Sequence, residues 1–134
     1  MLNTIRWFLV PVSAFLAGCI AMGFVHWIGQ WLLGRWAITS GLVLFYTTGV
    51  FVIGWTRGGL FMAPQKSLSV QRAIVSPLIF PGIFWIYNTL AVIFWDAWPD
   101  HELLLSASVP PAWEYAIHSC AFIVSLYNVF TEQL

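Results

Sequence analysis

Four stretches of this chain are long, apolar and nearly free of charge, and they limit its fold more than any motif does. They run from Trp7 to about Ile28, from about Gly41 to Thr56, from about Pro77 to Trp95, and from about Trp113 to Phe130. None contains Asp, Glu, Lys or Arg, apart from Glu114 at the mouth of the fourth. A helix needs roughly 20 apolar residues to cross about 30 Å of hydrocarbon. Water is absent there, so backbone polar groups must be satisfied inside helices or closed barrels. The four stretches lack the strict alternation of barrel strands. The expected fold is an all-α integral membrane protein, one transmembrane domain over residues 1–134. Its four transmembrane helices are expected at about 7–28, 41–56, 77–95 and 113–130.

Composition excludes the competing classes. The chain is 60% apolar and 7% charged, whereas a soluble domain carries about 25% charged residues. Too few solvated side chains are present to cover a water-facing surface. Five Lys and Arg balance five Asp and Glu, so no basic face invites nucleic acid and none is expected as a partner. The partners to expect are membrane lipid, other membrane subunits or further copies of this chain.

Tryptophan and charge give the spans their ends and their direction. Trp rings favour the headgroup level. Trp7, Trp27, Trp31, Trp36, Trp55, Trp95, Trp98 and Trp113 fall at or beyond the span ends, and only Trp85 lies inside one. Basic residues in short loops mark the cytoplasmic side. Arg6, Arg57, Lys66 and Arg72 share one side and Arg35 the other. Both termini and the second loop are therefore expected in the cytoplasm. The compactness and short loops suggest a bacterial inner membrane. Residues 29–40, with Trp31, Arg35 and Trp36, read as an interfacial segment after the first helix, and Thr39 and Ser40 as caps of the second.

Local signals refine the picture. Leu16-Ala17-Gly18-Cys19 has the letters of a lipoprotein cleavage site. Apolar residues continue beyond it through Ile28, so an uncleaved span is expected. Pro11 falls near the start of the first helix, where its missing N–H costs little. Arg57-Gly58-Gly59 reads as a helix stop and Ser76-Pro77 as a helix start, with the loop between them. Pro81-Gly82 reads as a kink. The third connection is acidic, then apolar at Leu103 to Leu105, and Pro110-Pro111 ends it.

Three functional readings are open. In the first, the protein is a non-catalytic membrane subunit that assembles with itself or with larger partners. Ala14, Ala17, Gly18 and Ala21 form a stripe that lets helix backbones approach, either within the bundle or between subunits, and Asn88 ties two helices together. In the second, it is an oligomeric channel or carrier for a small solute, with Thr47, Thr48, Asn88 and His118 along one path. The threonine hydroxyls can equally bond back to their own helix. In the third, His26, His101 and His118 meet in the outer half of the membrane and hold a metal ion or haem iron. No His-x-x-x-His or Cys-x-x-Cys spacing supports that reading, so no cofactor is expected. Cys19 and Cys120 read as small apolar residues. No phosphate loop or nucleophile motif is present, and no enzyme activity is expected.

Overall fold

The chain folds into a helical bundle. The computed structural model describes residues 1–33, 37–95 and 111–134. Helix α1 spans Leu2–Leu33, α2 spans Ala37–Met62 and α3 spans Leu68–Val75. A 3-10 turn at Ser76–Leu78 leads into α4, Ile79–Trp95, and α5 spans Pro111–Thr131. Two stretches, Leu2–Leu33 and Leu68–Phe94, are long and apolar enough to cross a membrane.

The order in space differs from the order in the chain. Helix α2 packs between α1 and α5, and α5 packs between α2 and α4. The sequence of neighbours is therefore α1, α2, α5, α4. Short α3 lies across one end, against α2 and α5. The core is correspondingly divided. One cluster joins α1 to the end of α2 and α3 through Val10, Ala14, Leu60, Ala63 and Ile74. The other joins α2, α3 and α5 through Val52, Val75, Leu78, Phe122 and Val129.

Helix α1 meets α2 along small residues. A Cβ placed on Gly54 would lie 2.9 Å from the Ala17 carbonyl oxygen and 3.0 Å from the Ala21 Cβ. One placed on Gly58 would lie 2.6 Å from the Ser13 carbonyl oxygen. This close approach lets the Ser13 hydroxyl donate to the Gly58 carbonyl at 2.8 Å. The stripe of Ala14, Ala17, Gly18 and Ala21 is thus turned toward α2 of its own chain. Of the two uses open to it, contact within the bundle or between subunits, the stripe makes the contact within the bundle.

The same contact explains why Arg57-Gly58-Gly59 does not stop α2. Glycine is needed there for backbone approach, and the helix runs on to Met62. Its last carbonyls are capped from a distance. Arg6 donates from Nε to the Met62 carbonyl at 3.1 Å and from Nη2 to the Ala63 carbonyl at 3.4 Å. A cation at a helix C-terminus satisfies orphan carbonyls and complements the helix dipole.

The expected second loop shrinks to residues 63–67, because Leu68–Val75 is helical. Ser67 caps α3, its hydroxyl oxygen accepting from the Val70 N–H at 3.4 Å. Gln71, Ile74 and Val75 are buried on one face, while Ser69, Arg72 and Ala73 face outward, the spacing of a surface helix. Gln71 is fully buried and holds the end of α5. Its Nε2 donates to the carbonyls of Val129 and Glu132, both at 2.7 Å, and its Oε1 accepts from the Leu134 N–H at 2.9 Å. Arg72 donates from Nε to the Phe130 carbonyl at 2.8 Å.

Other boundaries also move. Helix α1 begins five residues before its expected start at Trp7, placing Pro11 inside it. Residues 29–33 continue α1 and residues 37–40 begin α2, so most of the expected interfacial segment is helical and Ser40 is no cap. Instead Ser40 is buried and pairs with Gln30, whose Nε2 donates to its hydroxyl at 3.1 Å. Pro81 and Gly82 sit in the first turn of an uninterrupted α4. The break lies earlier, at the 3-10 turn that carries Pro77. The expected outer-loop features at Leu103 to Leu105 fall outside the described residues.

Candidate functional site

The polar residues of α2 and α5 are placed where the two helices face each other. On α2, Gly41 and Gly49 leave room for α5: a Cβ on Gly41 would meet the Ile117 side chain, and one on Gly49 the Ser125 hydroxyl, each at 3.2 Å. Thr48 lies between these glycines. Opposite it stands His118, 2% exposed.

The Thr48 hydroxyl oxygen lies 2.6 Å from His118 Nδ1. The same hydroxyl donates to the Leu44 carbonyl at 3.1 Å. The hydroxyl and Nδ1 are thus hydrogen-bonded across the two helices, the donor being set by the ring tautomer. Nε2 then points toward Glu114, with Oε1 3.6 Å away and the side chain fully buried one turn earlier on α5. The separation exceeds hydrogen-bond distance, and Nε2 has no hydrogen-bond partner among the described residues. Glu114 and His118 thus form a buried polar pair on one face of α5.

Aromatic rings close it off. Trp85 of α4 stacks on the His118 ring at a centroid distance of 4.3 Å and an interplanar angle of 28°. It also contacts the buried Tyr115 ring at 5.2 Å. Trp85 is the one tryptophan that hydropathy leaves inside a span, and the reason is local: its ring covers a polar side chain. Close by, the hydroxyls of Thr89 on α4 and Ser119 on α5 lie 2.9 Å apart.

The structure brings together only part of the expected sites. Thr48 and His118 meet. Thr47 is buried but donates to the Val43 carbonyl of its own helix at 2.6 Å. Asn88 donates to the Phe84 carbonyl, also on its own helix, at 2.8 Å. Among the described residues it neither ties two helices nor joins the Thr48–His118 pair; a polar tie between α4 and α5 is made by Thr89 with Ser119. His118 is engaged by Thr48, Glu114 and Trp85. His26 is half-buried on α1, with Nδ1 lacking a hydrogen-bond partner among the described residues. His101 lies outside the described residues. Among those described, no three His, Cys, Asp or Glu side chains are grouped to hold a metal ion. Cys19 and Cys120 are free thiols.

Sequence reading places Glu114 at a span mouth and gives Trp85 and Tyr115 no role. The signal for Glu114 and His118 is their i, i+4 spacing on one helix face. Trp85 carries no such signal, because its contact depends on how α4 crosses α5.

No family model, curated protein or solved structure matches this chain.

Proposed function

We propose that this protein is a four-span integral membrane protein that serves as a non-catalytic subunit, assembling with further copies or with larger membrane partners. One observation carries the reading: large apolar side chains are exposed along the whole length of the two edge helices. On α1 these include Phe8, Phe15, Ile20, Phe24, Trp27 and Trp31. On α4 they include Phe80, Ile83, Phe84, Tyr87, Ile93 and Phe94. Soluble monomers rarely expose apolar patches beyond a few hundred Å².

The distribution of polar groups supports all four long helices as spans. The two stretches that meet the length and apolarity test contain the edge helices. The central helices α2 and α5 hold the buried Thr47, Thr48, Glu114, His118 and Ser119 inside the bundle. Intramembrane polar groups are expected to face the bundle interior in this way. The lengths suffice: at about 1.5 Å per residue, the 26 residues of α2 and the 21 of α5 both reach about 30 Å. The four cations named as cytoplasmic also belong to one end of the bundle, where Arg6 reaches the end of α2 and Arg72 the end of α5.

Assembly would use the outer faces of α1 and α4, since the small-residue face of α1 is engaged. Isolation in mild detergent, followed by mass measurement of the intact particle, tests this. The expected result is a stoichiometric larger partner or a defined homo-oligomer. A monomer carrying only lipid would sink the subunit reading.

A carrier for a small solute is the second reading, favoured by the Glu114–His118 pair between the central helices. It predicts proton-linked flux in liposomes that Glu114→Gln abolishes. Equal flux with and without the substitution would remove that reading.

A further inference from the structure

The buried pair on α5 has a spacing that a direct bond between its members does not explain. His118 Nε2 and Glu114 Oε1 lie 3.6 Å apart, with 2% of the one side chain exposed and none of the other. A charge-assisted hydrogen bond between them would close that gap to about 2.7–2.9 Å. The two residues sit one turn apart on the same helix, where such pairs ordinarily meet. Yet Nε2 has no hydrogen-bond partner among the described residues. The ring is held elsewhere. The Thr48 hydroxyl oxygen lies 2.6 Å from Nδ1, and Trp85 stacks on the ring at 4.3 Å. One nitrogen is thus fixed in direction and aimed at a carboxylate oxygen it does not reach.

We propose that Glu114 and His118 bind one divalent transition-metal ion of the zinc class, with Oε1 and Nε2 as its protein ligands. Imidazole and carboxylate together suit zinc, whereas magnesium prefers an all-oxygen shell. Zinc holds imidazole nitrogen at about 2.0–2.1 Å and carboxylate oxygen at about 2.0–2.2 Å, so at a tetrahedral angle the two ligand atoms stand about 3.4 Å apart. The 3.6 Å between Nε2 and Oε1 is close to that separation and too long for a hydrogen bond. Thr48 supports the ring from behind. Metal on Nε2 leaves the ring proton on Nδ1, where the Thr48 oxygen accepts it while its own proton goes to the Leu44 carbonyl at 3.1 Å. Metal-ligating histidines use their second nitrogen in this way, which fixes the ring. A divalent ion also offsets the charge of a fully buried carboxylate. Glu114 lies in the first turn of α5, and water completes the coordination from that end of the helix. The ligands come from one chain, so the site stands whether or not copies assemble.

The test is calorimetric titration of the tag-free, detergent-purified full chain with zinc, and with magnesium as the control. The expected result is one zinc ion per chain and no magnesium. Thr48→Val is expected to weaken zinc binding about tenfold, as loss of the group behind a histidine ligand does. Glu114→Gln and His118→Gln remove the ligands themselves and are expected to cost more than that. His26→Gln is expected to leave binding unchanged. Thermal unfolding shows which variants keep the bundle intact. X-ray absorption of the zinc-loaded unmodified protein needs no variant. It is expected to show a single imidazole and otherwise only oxygen neighbours. An unmodified chain that binds no zinc overturns the site. So does an intact Glu114→Gln or His118→Gln chain that binds zinc like the unmodified protein. Sulfur in the zinc shell, or binding lost with His26→Gln and kept with His118→Gln, places the ion elsewhere and overturns it as well.

Discussion

Gly58→Leu will force α1 away from α2 and cost the bundle most of its stability. Even the first added carbon would lie 2.6 Å from the Ser13 carbonyl oxygen, which is backbone and cannot swing aside. The substitution also displaces the hydrogen bond from Ser13 to the Gly58 carbonyl. Over-packing of a core costs about 1–3 kcal/mol where side chains can yield, and more where they cannot. The informative comparison is with alanine. In an open helix position Gly→Ala stabilises by about 1 kcal/mol. Gly23 on α1 is such a position, with nothing within 4 Å of an added Cβ, so Gly23→Ala is expected to raise the unfolding midpoint. Gly58→Ala is expected to lower it, through a loss of about 1–3 kcal/mol of stability. Denaturant unfolding in detergent, followed by helical circular dichroism, reads both. Matching shifts at the two sites would show that α1 does not approach α2 closely at Gly58.

Thr48→Val and His118→Ala should each destabilise the bundle, and together cost less than their sum. Thr48→Val leaves His118 Nδ1 without its hydrogen-bond partner in a site 2% exposed. An unmet buried polar group costs about 1–3 kcal/mol. His118→Ala removes the ring under Trp85 and leaves a void, a loss of about 3 kcal/mol by analogy with other large-to-small changes. Hydrogen bonds between membrane helices reach about 1.7 kcal/mol in double-mutant cycles. A coupling of about 1–2 kcal/mol is therefore expected for this pair. Strict additivity would show that the 2.6 Å contact contributes nothing to folding.

Much of the architecture is legible from hydropathy because four long apolar stretches admit few helix arrangements. The interior of each helix is right, and the boundaries fail for a common reason. Apolar pattern marks where a helix is buried, whereas helix continuity depends on what satisfies its ends. Met62 can end α2 because Arg6 reaches its carbonyl from 56 residues away, and no local window contains that fact. Gly58 and Gly59 look like a stop for the same reason: glycine breaks helices and also admits a neighbouring backbone, and only the neighbour decides. Helix α3 is missed because eight residues of amphipathic helix sit inside a polar connection. At the candidate site, the sequence marks His118 and Thr48 separately as polar groups in apolar spans. Their pairing across 70 residues, and the lid formed by Trp85, depend on the spatial order of helices. Asn88 fails as a tie because its amide finds a carbonyl one turn back on its own helix, a partner available wherever an amide sits in a helix.

That spatial order has a consequence for how the protein is made. Chains leave the ribosome from the N-terminus, so α1 and α2 can pair as soon as both exist. Helix α4 follows, yet its long neighbour is α5, not α2. Until α5 is synthesised, Thr48 has no His118, Thr89 has no Ser119, and Gln71 has no helix end to hold. The last of the described helices to be made is thus the one that enters the middle. A nascent chain stopped before residue 111 carries the α1–α2 hairpin with α3 docked on it and α4 still without its long neighbour, and the translation of α5 completes the body. Closure of the bundle should therefore be late and all at once, with α5 acting as the keystone.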